Sequence, residues 1–306
     1  MKKVFAVVKV ILLAGLVCVF IGVYLVRKTD IHSFIESLIN SHKKVELGDV
    51  NDYYRDYGFL YATNTDNFEP ENYQDIINIF YTILNAGKEE FTFYCPKHYE
   101  GCIEDIQKFA NDQSLLSDIN NFVHPYNGFS HIETEYDTLG QVTIHVTHSY
   151  TEDEMEQINA KVDELTPQLI NPNRAARDNI QAVHDYIINT TRYDSLKSEQ
   201  NIDRYQSDIA YGPLFEGYGV CGGYTDLMAL FLEKMGLINY KVSSSKHIWN
   251  AVLIEGNWYH LDLTWDDPVA DDGGDYLEYN YFLVPTYLLT PDEQHDYDPN
   301  VYLELK

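Results

Sequence analysis

Residues 217–224 read GYGVCGGY, and TDLMALFLEKMG follows at once. Four glycines surround Cys221 at the mouth of an apolar helix. A buried free cysteine often serves as a small hydrophobe. A cysteine in the first turn of a helix has another use, because unpaired backbone N–H groups there favour an anion. They can stabilise a thiolate and help hold a developing oxyanion. The glycines permit a sharp turn and close backbone approach. A thiol nucleophile also needs a base, and the base needs a group to orient it.

His247 and Asp262 can supply both. KVSSSKHIWNAVLIEGNWYHLDLTW reads as two strands joined near EGN. His247, Trp249 and Ala251 share a face of the first; His260, Asp262 and Thr264 share a face of the second. A two-residue loop at Glu255-Gly256 pairs Ile254 with Asn257. It sets Trp249 opposite Asp262 and His247 opposite Thr264. His247 and Asp262 are then diagonal neighbours, about 7–8 Å apart at the backbone, and their side chains can meet. A loop at Gly256-Asn257 would part them. The expected roles are Cys221 as nucleophile, His247 as base and then acid, and Asp262 as the group that fixes the ring's tautomer.

Other readings of the same residues stand beside this one. His260 competes for the base role, and Asp262 can instead satisfy backbone donors at a sheet end. Zinc held by Cys221, His247, His260 and an acid lacks the usual ligand spacing. The acidic run DDPVADDGGD at 266–275 does not fit an EF-hand and reads as a solvated loop. No cofactor is expected. Trp249, Trp258 and Trp265 fall close together and suit either an aromatic groove or a tight core.

The elements that must position these residues follow from periodicity. TDLMALFLEKMG is apolar on much of its circumference and reads as a buried helix ended by Gly236. ARDNIQAVHDYIINTT at 176–191 is a helix with Ile180, Val183 and Ile187 on one stripe, and His184 reads as an outward or satisfied residue. In the first half, 71–87, 102–110 and 114–123 read as helices and FTFYC at 91–95 as a strand. HIETEY and QVTIHVTHSY form a hairpin turning at Leu139-Gly140. Thr151 and Glu154 have capping-box spacing at the start of an acidic helix over 152–168. The expected fold class is α+β: a helix bearing the nucleophile, packed on an antiparallel sheet and preceded by a small α+β domain. The expected division is a stalk or linker at 29–69, a small domain at 70–170 and the site-bearing domain at 171–306.

Residues 4–26 are apolar except for Lys9 and long enough to cross a hydrocarbon core. They read as an uncleaved transmembrane anchor at 4–26; a cleaved signal and a buried or peripheral helix are the alternatives. A lipidated Cys18 fits badly, because Val17 precedes it. Every acidic residue lies beyond residue 28, so the expected topology is a cytoplasmic N-terminus, one span and an extracellular catalytic domain. Cys95 and Cys102 can form a bridge or a reduced pair. With 306 residues the chain can build a proper core, and its net charge of −27 excludes binding nucleic acid or an anionic membrane through its field. Cationic partners, including lysine-bearing peptides, suit that surface.

GYGVCGGYTDLMALFLEKMG and HIWNAVLIEGNWYHLDLTWDDP together resemble the cysteine segment and the histidine–aspartate segment of the transglutaminase-like superfamily, over roughly 175–285. Thr225 stands where that family often has alanine. The resemblance implies a papain-like core and a triad of Cys221, His247 and Asp262. It also implies acyl transfer through a thioester on protein or peptide amides. The acceptor can be a lysine amine, giving a crosslink, or water, giving deamidation or peptide cleavage. A non-catalytic surface module that keeps the fold is a further alternative.

Overall fold

The computed structural model describes residues 44–137, 139–268, 276–289 and 294–306. Among the described residues the first helix, α1 (Tyr73–Asn85), begins where the Asn72 side chain accepts from the N–H groups of Gln74 and Asp75. It ends at Gly87, whose φ of 66° suits glycine. Strand β1 (Glu90–Tyr94) and the short helices α2 (Cys102–Ala110) and α3 (Gln113–Asn120) follow. A disulfide joins Cys95 to Cys102 across the connection. Strands β2 (Phe129–Tyr136) and β3 (Gln141–His148) form the expected hairpin, and β1 pairs with the other edge of β3. Helix α4 (Glu152–Leu169) opens with a true capping box between Thr151 and Glu154.

The second half starts with α5 (Ala176–Thr190). Residues Arg192–Tyr193 (β4) pair in parallel with Tyr218–Gly219 (β5), and α6 (Ser195–Gln200) lies between them. Helix α7 (Cys221–Lys234) carries the cysteine and buries Gly223 through Leu232 without interruption. Burying each Leu or Phe there stabilises the fold by about 1.5–3 kcal/mol. Strands β6 (Asn239–Ser243), β7 (Ile248–Ile254) and β8 (Asn257–Leu261) form an antiparallel sheet in that order. The stretch expected to be one strand from Lys241 is thus split. Ser244 to His247 make a tight turn between β6 and β7, closed by Ser244 N–H to the His247 carbonyl at 2.9 Å. A short helix, α8 (Leu263–Asp266), begins directly after β8.

Two apolar clusters lie on opposite faces of this sheet. Ile76, Phe80, Phe93 and Phe109 pack with Tyr240, Val242 and Trp249. Val183, Ile187, Leu227 and Phe231 pack with Val252 and Leu261. Phe59, Ala62 and Phe68 are buried in the first cluster, although they fall in the segment expected to be a stalk or linker. The C-terminal residues Val301, Tyr302 and Leu305 join the same cluster.

The expectation of a transmembrane helix, a membrane-inserted chain and a single-pass membrane location is corrected here. Among the described residues no helix is long and apolar enough to cross a membrane. Residues 4–26 lie outside the described residues. The architecture stands as α+β with no membrane-spanning helix among its described elements.

Candidate active site

Cys221 is the first residue of α7. The residue before it, Val220, is extended and caps the helix with no side-chain hydrogen bond. Val220 N–H donates to the Ser207 carbonyl at 2.9 Å, and Tyr224 N–H returns to the Val220 carbonyl at 3.2 Å. The N–H groups of Cys221, Gly222 and Gly223 therefore have no acceptor within the helix. Close approach explains Gly223, because a Cβ there would stand 2.4 Å from the Ser207 carbonyl oxygen. The loop before the helix packs directly on its first turn and holds the cysteine at a fixed height. Cys221 itself is half-buried, and it is the one free cysteine among the described residues.

Thr225 lies one turn further along α7. Its hydroxyl meets the Cys221 carbonyl at 2.7 Å and the Ile248 carbonyl at 3.1 Å. Asn250 Nδ2 donates to the Thr225 carbonyl at 3.0 Å. These bonds tie the cysteine-bearing turn to the start of β7, where the histidine stands.

His247 lies in the turn just before β7, and its N–H donates to Ser244 Oγ at 3.1 Å. The ring is buried, stacks on Trp249 at 5.6 Å, and places Nε2 2.6 Å from Asp262 Oδ2. The Cys221 side chain hydrogen-bonds the same ring, which leaves Nδ1 for the sulfur. Burial opposes a charge on this ring. The Asp262 carboxylate outweighs burial, with Cys221 adding in the same direction, and the His247 pKa is pushed up to about 10.

Asp262 follows the last residue of β8 and caps α8. Its Oδ1 accepts from the N–H groups of Thr264 at 3.0 Å and Trp265 at 3.3 Å. Burial works against its charge, yet His247 and then His295 hold its pKa below the ordinary carboxylate value. The hairpin has the register that brings the two groups together. Ile254 pairs with Asn257 and Asn250 with Leu261, and Glu255 and Gly256 both take positive φ in a two-residue turn.

The competing residues have other partners. His260 Nδ1 accepts from Trp249 Nε1–H at 3.0 Å, and its Nε2 lies 3.2 Å from Thr286 Oγ1. Burial, with His295 adding, lowers its pKa to about 4, so it is a neutral ring occupied by Trp249 and Thr286. His184 is buried between Asp185 at 3.0 Å and Asp266 at 3.2 Å. Asp266 also accepts from Tyr281 N–H at 2.8 Å, and residues 269–275 of the acidic run lie outside the described residues. The tryptophans divide between both expected uses. Trp249 is core, whereas Trp265 is 38% exposed and lines a cavity of about 540 Å³ with Tyr281, Val284 and Leu288.

His295 is the residue that sequence reasoning missed. It stands alone in QHDY, in no motif, yet its Nε2 lies 2.9 Å from Asp262 Oδ2. His247, Asp262 and His295 bring two ring nitrogens and a carboxylate oxygen within 4.8 Å, the donor set of a candidate metal site. The separations of 2.6 and 2.9 Å to one shared oxygen are hydrogen-bond lengths. They suit two N–H donors on one acceptor.

Comparison with known proteins agrees at one level. Residues 163–263 match the transglutaminase-like superfamily. That is 101 of the 306 residues and takes in Cys221, His247 and Asp262. The relationship is one of superfamily. Among solved structures, one described as a TGase is 17% identical, covers 45% of this chain and 44% of its own, and has a TM-score of 0.32. Another, described as a candidate cysteine protease from Cytophaga hutchinsonii, is 14% identical, covers 48% and 65%, and has a TM-score of 0.28. The chain spans less than two thirds of either, and likenesses this weak carry no argument. No curated protein matches the chain.

Proposed function

We propose that the chain is a thiol enzyme that transfers acyl groups from protein or peptide amides through a Cys221 thioester. Cys221 attacks the amide carbonyl carbon as a thiolate paired with the His247 imidazolium. The carbonyl oxygen becomes an oxyanion facing the free N–H groups of the first turn of α7. His247 gives its proton to the leaving ammonia or amine, and the thioester remains. An amine or water then loses a proton to His247 and attacks the thioester carbon, releasing Cys221. Asp262 keeps the ring oriented and supports its charge throughout.

The observation that carries this reading is the hydrogen bond of 2.6 Å from His247 to Asp262, made by a ring whose other side meets Cys221 at an uncapped helix start. The test is incubation of the purified protein with glutamine-containing peptides, with and without a labelled primary amine, followed by mass spectrometry. Amine adducts mark acyl transfer to amines. Deamidated or cleaved products mark a deamidase or peptidase that uses the same three residues. Either product should vanish in Cys221→Ala. A protein that yields none of them, or a Cys221→Ala variant that retains them, overturns the reading.

A further inference from the structure

Asp262 is saturated. Its Oδ1 accepts from two backbone N–H groups, and its Oδ2 takes His247 at 2.6 Å and His295 at 2.9 Å. A carboxylate with four donors cannot rotate, so the oxygen that meets His247 is fixed in place. His295 is itself held. Its side chain is fully buried, and its ring stacks on Tyr281 at 4.6 Å and 14° and meets the Trp249 ring at 5.0 Å.

The segment that carries His295 is anchored to the His247 turn a second time. The Tyr302 hydroxyl accepts from Ser243 N–H at 3.0 Å and from Asn121 Nδ2 at 2.7 Å. Ser243 is the last residue of β6, directly before that turn. Residues 294–306 thus reach the site both through Asp262 and through the backbone that presents His247. None of this segment lies within the 163–263 superfamily match.

We propose that His295 is a positioning residue of the active site: as its Nε2–H tautomer it donates to Asp262 Oδ2, fixes the carboxylate against His247, and so makes the C-terminal segment part of the catalytic apparatus. An ionised Asp262 can only accept, so the proton of this bond lies on His295 Nε2. His295 acts through its bond to Asp262, and so through His247. The inference rests on the roles proposed above for Cys221, His247 and Asp262.

The test reads the thiol–imidazole pair without a substrate. The rate of iodoacetamide alkylation at Cys221, followed on its own peptide at pH 6.5, is compared in the full-length wild type, His295→Gln, His295→Asn and His295→Phe. The amide nitrogen of glutamine reaches the place of Nε2, asparagine falls short of it, and phenylalanine keeps the ring but has no donor. Asparagine and phenylalanine should slow alkylation by about 10-fold, and glutamine should stay within about 3-fold of wild type. In a His247→Ala background the His295 substitutions should add nothing. Equal rates for glutamine and asparagine overturn the proposal, and so does an undiminished effect without His247. If phenylalanine prevents folding, the comparison of glutamine with asparagine still decides. The proposed acyl transfer fails separately, when wild-type Cys221 alkylates fast but no amide is turned over.

Discussion

At the scale of single residues, the site is a competition between burial and charge. His247 and Asp262 are both buried, and burial alone would discharge each of them. Their mutual attraction wins on both sides, raising His247 and lowering Asp262. The sign of the pH dependence follows. Stability from the proton on His247 is complete below its ordinary 6.5 and is lost as pH rises through about 10. Stability from the Asp262 charge is present above its ordinary 3.8 and is lost as the medium becomes acidic. Asp262→Asn should therefore cost most stability between those ordinary values, with the cost fading toward pH 10. Denaturant melts of both proteins across that range check this. By NMR, the His247 ring in Asp262→Asn should titrate well below 10, because only Cys221 then opposes burial. His260 shows the opposite outcome in the same layer of side chains. It accepts an N–H from Trp249 and makes no bond to a carboxylate; burial and the neighbouring His295 outweigh the pull of Asp262 and lower its pKa to about 4.

At the scale of elements, the question is what fixes the first turn of α7 relative to the β7–β8 hairpin. Thr225 does so with one hydroxyl shared between the Cys221 and Ile248 carbonyls. Thr225→Val keeps the shape and removes those bonds. It should lower unfolding free energy by about 1 kcal/mol, and should slow alkylation of Cys221 as well. Gly223→Ala sets a methyl 2.4 Å from the Ser207 carbonyl oxygen, which is backbone and cannot swing aside. Thermal melts should show a loss of about 1–3 kcal/mol. The elements themselves were largely legible in the sequence, because alternation and helical spacing are local signals. The hairpin register was legible for the same reason, since a two-residue turn at Glu255-Gly256 sets every pair beyond it. The purpose of the glycines was only half legible. That Gly223 makes room for the Ser207 carbonyl depends on a loop 16 residues earlier, which no local pattern reveals. His295 was illegible on the same ground, being a lone histidine 33 residues beyond its partner Asp262.

At the scale of the whole molecule, the first half of the chain supports the far end of the cysteine helix. Tyr240, Val242 and Trp249 of the β6–β7–β8 sheet share one core with Phe59 and the α1 residues. A polar network seals the seam. Arg55 is buried; its Nε and Nη2 donate to Glu233 Oε1, at 3.2 and 2.5 Å, and its Nη1 donates to the Phe122 carbonyl at 2.9 Å. His124 Nδ1 accepts from Tyr126 N–H at 3.1 Å, so its proton lies on Nε2 and is donated to Glu233 Oε2 at 2.9 Å. Burial lowers the His124 pKa, against the pull of Glu233. Burial also opposes the charge on Glu233, but His124 and Arg55 outweigh it and lower its pKa to about 2. Glu233→Gln tests how far the two halves depend on each other. An amide has one oxygen, so its NH2 group must face either the Arg55 guanidinium or the His124 N–H. A donor then meets a donor inside the protein. The substitution should cost about 2–3 kcal/mol, somewhat under the figure for a fully buried pair because Glu233 is partly exposed. Replacing both partners, as Arg55→Met with Glu233→Leu, should recover much of that loss. If α7 is held from this end, Glu233→Gln should also slow Cys221 alkylation, although Glu233 lies on the last turn of α7 and Cys221 on its first. Unchanged alkylation beside a full loss of stability would show that the seam holds the fold together without setting the position of the sulfur.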